Sequence, residues 1–445
     1  MTIGKAIRAW IAIDTALLIA AIGCSVGTTP SVSSSSTPRP SASAATRRPF
    51  GQHTGYTAGT IRPSVPQDAM DATVAELYDA WKDAYLTRNP YQPDQYYVFY
   101  NREGYTEPED AVTTSESTGY GMLITAIMAG HDPQAQTLFD GLSRFAKAHP
   151  SSINPDLMAW QQRDTGTAIV STTNDDGGGD DAATDGDLDM AYALLLADQQ
   201  WGSGGEIDYL AEARRVMDAI LTSEVDPTHH TLRLGDWASD DDSYATATRP
   251  SDFMTQHLKE FATSSGEPRW TKVVDQTYRI EESLFRDHSP RTGLLPDFVE
   301  LDGSTYRPAS PDFLEANTDG DYSWNSARTP WRIGTDYLMT GDPRPKAQLA
   351  AMNAWIRSAT GGDPEKIAQG YTLAGEPIDP DTELTFSAPF AVSAMIDAAN
   401  REWLDALWAT VTQEPVTSYF GDSIRLLSLI VVSGNWWSPT GIAAG

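Results

Sequence analysis

The chain has 445 residues, with 31 Lys and Arg against 61 Asp and Glu, a formal charge of −30, and a single cysteine, Cys24. One cysteine excludes an intrachain disulfide, a Cys₄ zinc site and an iron–sulfur cluster, and the acid excess excludes nucleic acid as a partner, because that affinity needs basic counter-charge. At 40% hydrophobic and 10% aromatic residues, the chain can build a large core and is not globally disordered.

Lys5 and Arg8 precede Ala9 to Gly23, a mostly apolar run interrupted by Asp14 and too short to span a membrane comfortably. It ends Ala21-Ile22-Gly23-Cys24. This resembles a bacterial lipobox, with Ala where Leu is usual, and an ordinary cleaved signal peptide is the alternative. Residues 1–24 are therefore expected to be a leader, and the protein to be secreted or held at the membrane surface only by an N-terminal lipid. The Ser/Thr/Pro-rich stretch that follows has little to bury, so residues 25–60 are expected to form a disordered tether. Residues 1–49 hold five basic groups and one acidic group, which leaves 26 basic against 60 acidic, or −34, on the remainder.

From residue 66 helical periodicity dominates: Met70, Val74, Leu77, Trp81 and Tyr85 fall three or four apart, and similar stripes recur around Leu188, Val216 and Leu426. The spacing predicts twelve helices, starting near 66, 115, 133, 187, 205, 251, 267, 325, 343, 386, 400 and 418. Alternate starts from 115 are 72, 64, 74 and 61 residues apart, which suggests helical hairpins repeated around a closed ring. Gly130–Pro133, Gly202–Gly205, Gly266–Pro268 and Gly341–Pro343 are stop-and-restart signals inside hairpins. The longer loops, 150–186, 224–250, 287–324 and 360–385, fall between hairpins, where function usually sits. Residues 61–445 are read as one all-α domain, expected to be a monomer.

Three loop-to-helix junctions carry candidate chemistry. In Ser115-Glu116-Ser117-Thr118-Gly119-Tyr120-Gly121-Met122, Ser115 can cap a helix and Glu116 sits in its first turn. A glutamate there can simply suit the helix dipole, but the two glycines and tyrosine are poor helix choices. In Ala183-Thr184-Asp185-Gly186-Asp187-Leu188-Asp189, Asp185 and Asp187 stand at a helix mouth, while Asp189 and Asp198 are candidates for the surface. A calcium loop is the rival reading, but no Glu falls at the final EF-hand position. In the third, Glu315 lies in an apolar stretch, and Asn325, Arg328, Trp331 and Arg332 open the next helix. The only Gly-x-Ser-x-Gly is Gly23–Gly27, in the leader, and no HExxH occurs, so neither a serine hydrolase nor a metal site is expected.

These segments resemble glycoside hydrolase family 8, the inverting endo-glycanases. The Ala183–Trp201 segment, the Ser-Glu-x-x-Gly-Tyr-Gly-Met element and Arg-x-Pro-Trp-Arg carry the resemblance, which spans about residues 66–435. It implies an (α/α)₆ barrel and no cofactor. Glu116 matches the general acid, and Asp185 the aspartate that contacts sugar at the cleavage point, with Asp187 beside it. Where many members have an Asp base this chain has Asn325, and an amide cannot take a proton from water. A subfamily known for chitosanases and lichenases has Asn there and a base Glu on the preceding loop, which Glu315 matches. Ser117-Thr118 departs from the Gly that often follows the acid. The substrate implied is chitosan, mixed-linkage β-glucan or cellulose. An inverting enzyme needs its two carboxyls roughly 6.5–9.5 Å apart. Arg328 and Asn325 are candidates for sugar contact, and Trp160, Trp237, Tyr322, Trp324 and Trp331 are candidate stacking platforms, with core packing the alternative for each aromatic. Trp81 and Trp201 are expected in the core. Two other functions remain open: a surface carbohydrate-binding lipoprotein without catalysis, favoured by Asn325, and a plain helical scaffold.

Overall fold

The computed structural model describes residues 45–101, 108–173, 178–238, 244–414 and 418–441, so the leader with Cys24 and residues 25–44 of the expected tether lie outside the described residues. Twelve α-helices run through them in chain order: α1 Gln67–Tyr85, α2 Ser115–Ile127, α3 Ala135–Ala148, α4 Thr184–Trp201, α5 Tyr209–Ser223, α6 Thr255–Ser265, α7 Arg269–His288, α8 Thr329–Thr340, α9 Lys346–Ala359, α10 Leu384–Ala394, α11 Arg401–Gln413 and α12 Tyr419–Val432.

The even-numbered helices close an inner ring: α2 packs on α4, α4 on α6, α6 on α8, α8 on α10, α10 on α12, and α12 returns to α2. Each carries one outer helix, with α3 on α2, α5 on α4, α7 on α6, α9 on α8, α11 on α10 and α1 on α12. This is the (α/α)₆ barrel. The sequence encodes the two layers differently. In α8 every residue from Thr329 to Met339 is buried, and α10 is buried throughout. Outer helices bury one stripe, as in α3 with Leu138, Phe139, Leu142 and Phe145. Helix starts depart from the periodicity by up to four residues, and at two of them a tighter turn intervenes: Pro250–Asp252 and Ser326–Arg328 form 3₁₀ turns ahead of α6 and α8.

The loops at the N-terminal ends of the inner helices carry four small antiparallel sheets, which the helical periodicity does not predict: Leu86–Arg88 with Tyr96–Val98, Ala111–Thr114 with Gln161–Asp164 and Ile169–Ser171, Val299–Asp302 with Thr305–Pro308, and Gln369–Tyr371 with Pro377–Asp379. Strands of three or four residues are too short to show an alternating pattern.

One expectation is corrected at the opposite end. Residues 45–60, placed in the tether by composition, are packed across the floor of the barrel. Arg47 N donates to Gln200 O (3.1 Å), Phe50 N to Ala129 O (2.7 Å), Thr54 N to Gly434 O (2.7 Å), Thr57 N to Leu338 O (2.9 Å) and Ile61 N to Met395 O (2.8 Å). Those carbonyls sit at the C-terminal ends of α4, α2, α12, α8 and α10, where a helix leaves its last carbonyls without partners. The strap satisfies them with backbone N–H groups and packs only Phe50, Tyr56 and Ile61 against the core, too few apolar residues for composition to reveal it.

Candidate active site

The site forms where the N-terminal ends of the inner helices converge. α2 and α4 cross in close contact there because both carry glycine at the crossing. A Cβ on Gly186 would lie 2.5 Å from the Ser115 carbonyl carbon, and one on Gly119 2.9 Å from Asp189 Cβ. The cap of α2 is Thr114, not Ser115. Ser117 N donates to Thr114 Oγ1 (3.1 Å) and Thr114 N to Ser117 Oγ (2.9 Å). This reciprocal box leaves Glu116 in the first turn, aimed inward.

Arg328 is the hub, with 1% of its surface exposed. Its Nη1 donates to Glu116 Oε2 (2.7 Å), Asp185 Oδ2 (2.9 Å) and Tyr120 Oη (3.3 Å), and its Nη2 to Ser251 Oγ (3.0 Å) and Asn325 Oδ1 (2.9 Å). Tyr419, opening α12, donates its hydroxyl to Glu116 Oε1 (3.2 Å). Arg249 pairs with Asp185 Oδ1 (3.1 Å) and with Asp252 (3.1 Å). Groups from α2, α4, α8, α12 and the approach to α6 thus meet at one guanidinium.

The carboxyls take different protonation states from these settings. Burial pushes Glu116 up to about 7: Arg328 opposes the shift and the charge of Asp185 adds to it. The Glu116 side chain nonetheless keeps 14% exposure, so it can be reached from the cleft. Burial would also raise Asp185, but Arg249 and Arg328 outweigh it and hold that carboxyl at about 2. Asp252 is raised to about 6 by burial, against the pull of Arg249.

Glu315 reaches the same hub from the loop before α8. Asn325 Nδ2 donates to Glu315 Oε2 (2.8 Å) while its Oδ1 accepts from Arg328. A guanidinium and an amide therefore stand between the two glutamates. Burial raises Glu315 above the ordinary carboxylate range, while Arg249 and the Asn325 hydrogen bond pull it back. Among the described residues no group of three or more His, Cys, Asp or Glu is arranged to hold a metal ion.

The family described as Glycosyl hydrolases family 8 matches residues 67–434. A β-glucanase of Niallia circulans is 50% identical over 89% of this chain and 92% of its own length. The chain belongs to glycosyl hydrolase family 8. It is a glycoside hydrolase. An endoglucanase of Bacillus sp. (strain KSM-330) is 38% identical over 90% of this chain and 84% of its own. The solved apo structure of a β-1,3-1,4-glucanase from Paenibacillus sp. X4 superposes with a TM-score of 0.83 at 50% identity, covering 88% of this chain and all of that one.

The enzyme keeps some sequence-predicted residues in the cleft and withdraws others. Glu116, Asp185, Glu315 and Asn325 are brought together. Asp187 is not a sugar contact: it is fully buried, accepts from Met158 N (3.1 Å), and is raised well above its usual range by burial and the charges of Asp236 and Asp185. Arg328 is buried and holds the carboxyls of Glu116 and Asp185 from inside the protein. Tyr322 (0% exposed) and Trp331 (1%) belong to the core, the first among Tyr371, Phe386 and Phe390 and the second against Tyr120 and Arg332. Asp189 is not on the surface but fully buried, bound by both terminal nitrogens of Arg332 (2.9 and 2.6 Å) and facing His257 (3.1 Å). Trp160, Trp237 and Trp324 stay half-buried, with Trp237 edge-on to Tyr244 and Trp324 edge-on to Phe386. Trp81 and Trp201 are core, as the apolar stripes predict. Sequence reasoning missed Tyr419, Arg249, Ser251 and Asp252. They lie far from the three motifs in the chain, and a common position at inner-helix N-termini was the one signal that could have found them.

Proposed function

We propose that this enzyme hydrolyses internal β-1,4 bonds of a mixed-linkage β-glucan with inversion, using Glu116 as general acid and Glu315 as general base. The observation that carries the proposal is the hub itself: Glu116, poised at about 7 on α2, bonds Arg328 directly, and Glu315, on the loop before α8, is tied to the same arginine through Asn325. Protonated Glu116 gives its proton to the glycosidic oxygen as the carbon–oxygen bond breaks. Glu315 takes a proton from a water that attacks the anomeric carbon from the opposite face, so the two carboxyls exchange states once per turnover. Asn325 occupies Oε2 of Glu315, and we assign Oε1 to the water. Asp185, ionised between two guanidiniums, supplies negative charge beside the carbon that becomes cationic. The choice among polysaccharides is supported by the two half-identical relatives, both named as β-glucanases.

Reducing-end release should be compared on lichenan, chitosan, carboxymethyl cellulose and xylan, with proton NMR identifying the first anomer formed. Lichenan should be cut fastest and give the inverted anomer. Glu116→Gln and Glu315→Gln should each lose about 10²- to 10⁴-fold in kcat while keeping the fold. Faster release from chitosan would move the substrate assignment. Release from none would favour a carbohydrate-binding protein. Near-normal turnover by Glu315→Gln would remove it as base.

A further inference from the structure

Glu315 stands on a segment that is neither helix nor strand, so no hydrogen-bond ladder sets its position. A base that must place a water against an anomeric carbon needs its backbone fixed by other means. Asp319 is 1% exposed and sends its carboxylate back under that segment. Its Oδ2 accepts from Leu314 N (2.7 Å) and Glu315 N (3.0 Å), and its Oδ1 from Ala316 N (2.9 Å). Three consecutive backbone N–H groups turned to one point form a nest for an anion, and a carboxylate with two oxygens fills it. The clamp is itself anchored. Asp319 O accepts from Phe298 N (2.8 Å) and Asp321 O from Asp297 N (2.8 Å), which fixes this stretch to the loop entering the Val299–Asp302 strand. Asp297 Oδ1 then accepts from Ser323 N (3.1 Å), Ser326 N (2.7 Å) and Ser326 Oγ (2.7 Å), holding the turn that carries Asn325.

We propose that Asp319 is a positioning residue for catalysis: its carboxylate fixes the backbone of residues 314–316 and thereby sets Glu315 against Asn325. The proposal rests on Glu315 as the general base. Asp319→Asn replaces one of the two oxygens by an NH₂ that faces N–H groups, so the loop loses part of its clamp without losing volume. Its kcat on lichenan should fall about 10- to 100-fold, with KM and Tm close to the parent, because the loop shifts while the sugar platforms and the barrel remain. In a Glu315→Gln background the same substitution should cost nothing further, since the group it positions is already gone. Parental kcat in Asp319→Asn overturns the proposal, and so does an equal loss in both backgrounds. Where Asp319→Asn does not fold, Asp319→Glu keeps the charge and displaces its oxygens by one methylene. It should show the same loss of kcat, and parental kcat there overturns the proposal equally. The base assignment fails separately, through high activity of Glu315→Gln alone.

Discussion

At the scale of single residues, the site separates two glutamates by environment. Glu116 is reached from the cleft yet desolvated, and it must carry a proton to act. Raised to about 7, it stays protonated across mildly acidic pH, and kcat/KM should fall as pH rises through that value. Glu315 must be ionised, so kcat/KM should fall as pH drops through its own raised value, which lies above the ordinary carboxylate range. The profile is therefore a bell on the acid side of neutrality. A plateau extending well above pH 8 would contradict the role of Glu116. The place of Glu116 at the mouth of an inner helix was legible in the sequence, because it lies inside a contiguous motif. The withdrawal of Asp187, Tyr322 and Trp331 was not, since a residue two positions along a helix, or on the wrong side of a 3₁₀ turn, looks the same in the chain.

At the scale of elements, the glycines at the α2–α4 crossing have a packing reason. They let the first turns of two helices approach until Glu116 and Asp185 share Arg328. Gly186→Ala places a methyl 2.5–2.7 Å from Ser115 atoms, backbone included. It should cost about 1–3 kcal/mol by overpacking and lower kcat as well, because the displaced turn carries Asp185. A thermal melt and a rate assay check the two effects, and an unchanged Tm would show that the helices can separate freely. Twelve helices and their pairing were legible because a buried stripe repeats every three or four residues. The small sheets were not, because strands of three or four residues are too short to show an alternating pattern.

At the scale of the whole molecule, the strap and the cleft occupy opposite ends of the barrel. α4 carries Asp185 in its first turn and ends by Arg47, and its 18 residues span about 27 Å. Deleting residues 45–62 leaves buried carbonyls at the ends of five inner helices without their donors, and each such loss is costly. The truncated chain should melt several degrees lower, with kcat unchanged at temperatures where both forms are folded. A loss of kcat at full folding would show that the floor couples to the cleft. The net negative charge also reads differently in three dimensions. Around the carboxyls of the site the acid is paired with Arg328 and Arg332, both buried, and with the largely buried Arg249, so the site is an ionic network, not a patch of unpaired charge.

The sequence by itself determined the helical repeat, the hairpin order, the family and the place of Glu116 in a helix's first turn, because each is written in neighbouring residues or in a short period. Only the tertiary structure decided which charged groups face the cleft, that Arg328 joins the two glutamates through Asn325, and that a polar segment caps the barrel floor. Those facts depend on side chains that the fold gathers from separate helices, Arg328 and Glu116 being 212 positions apart, and on backbone hydrogen bonds that no side chain announces.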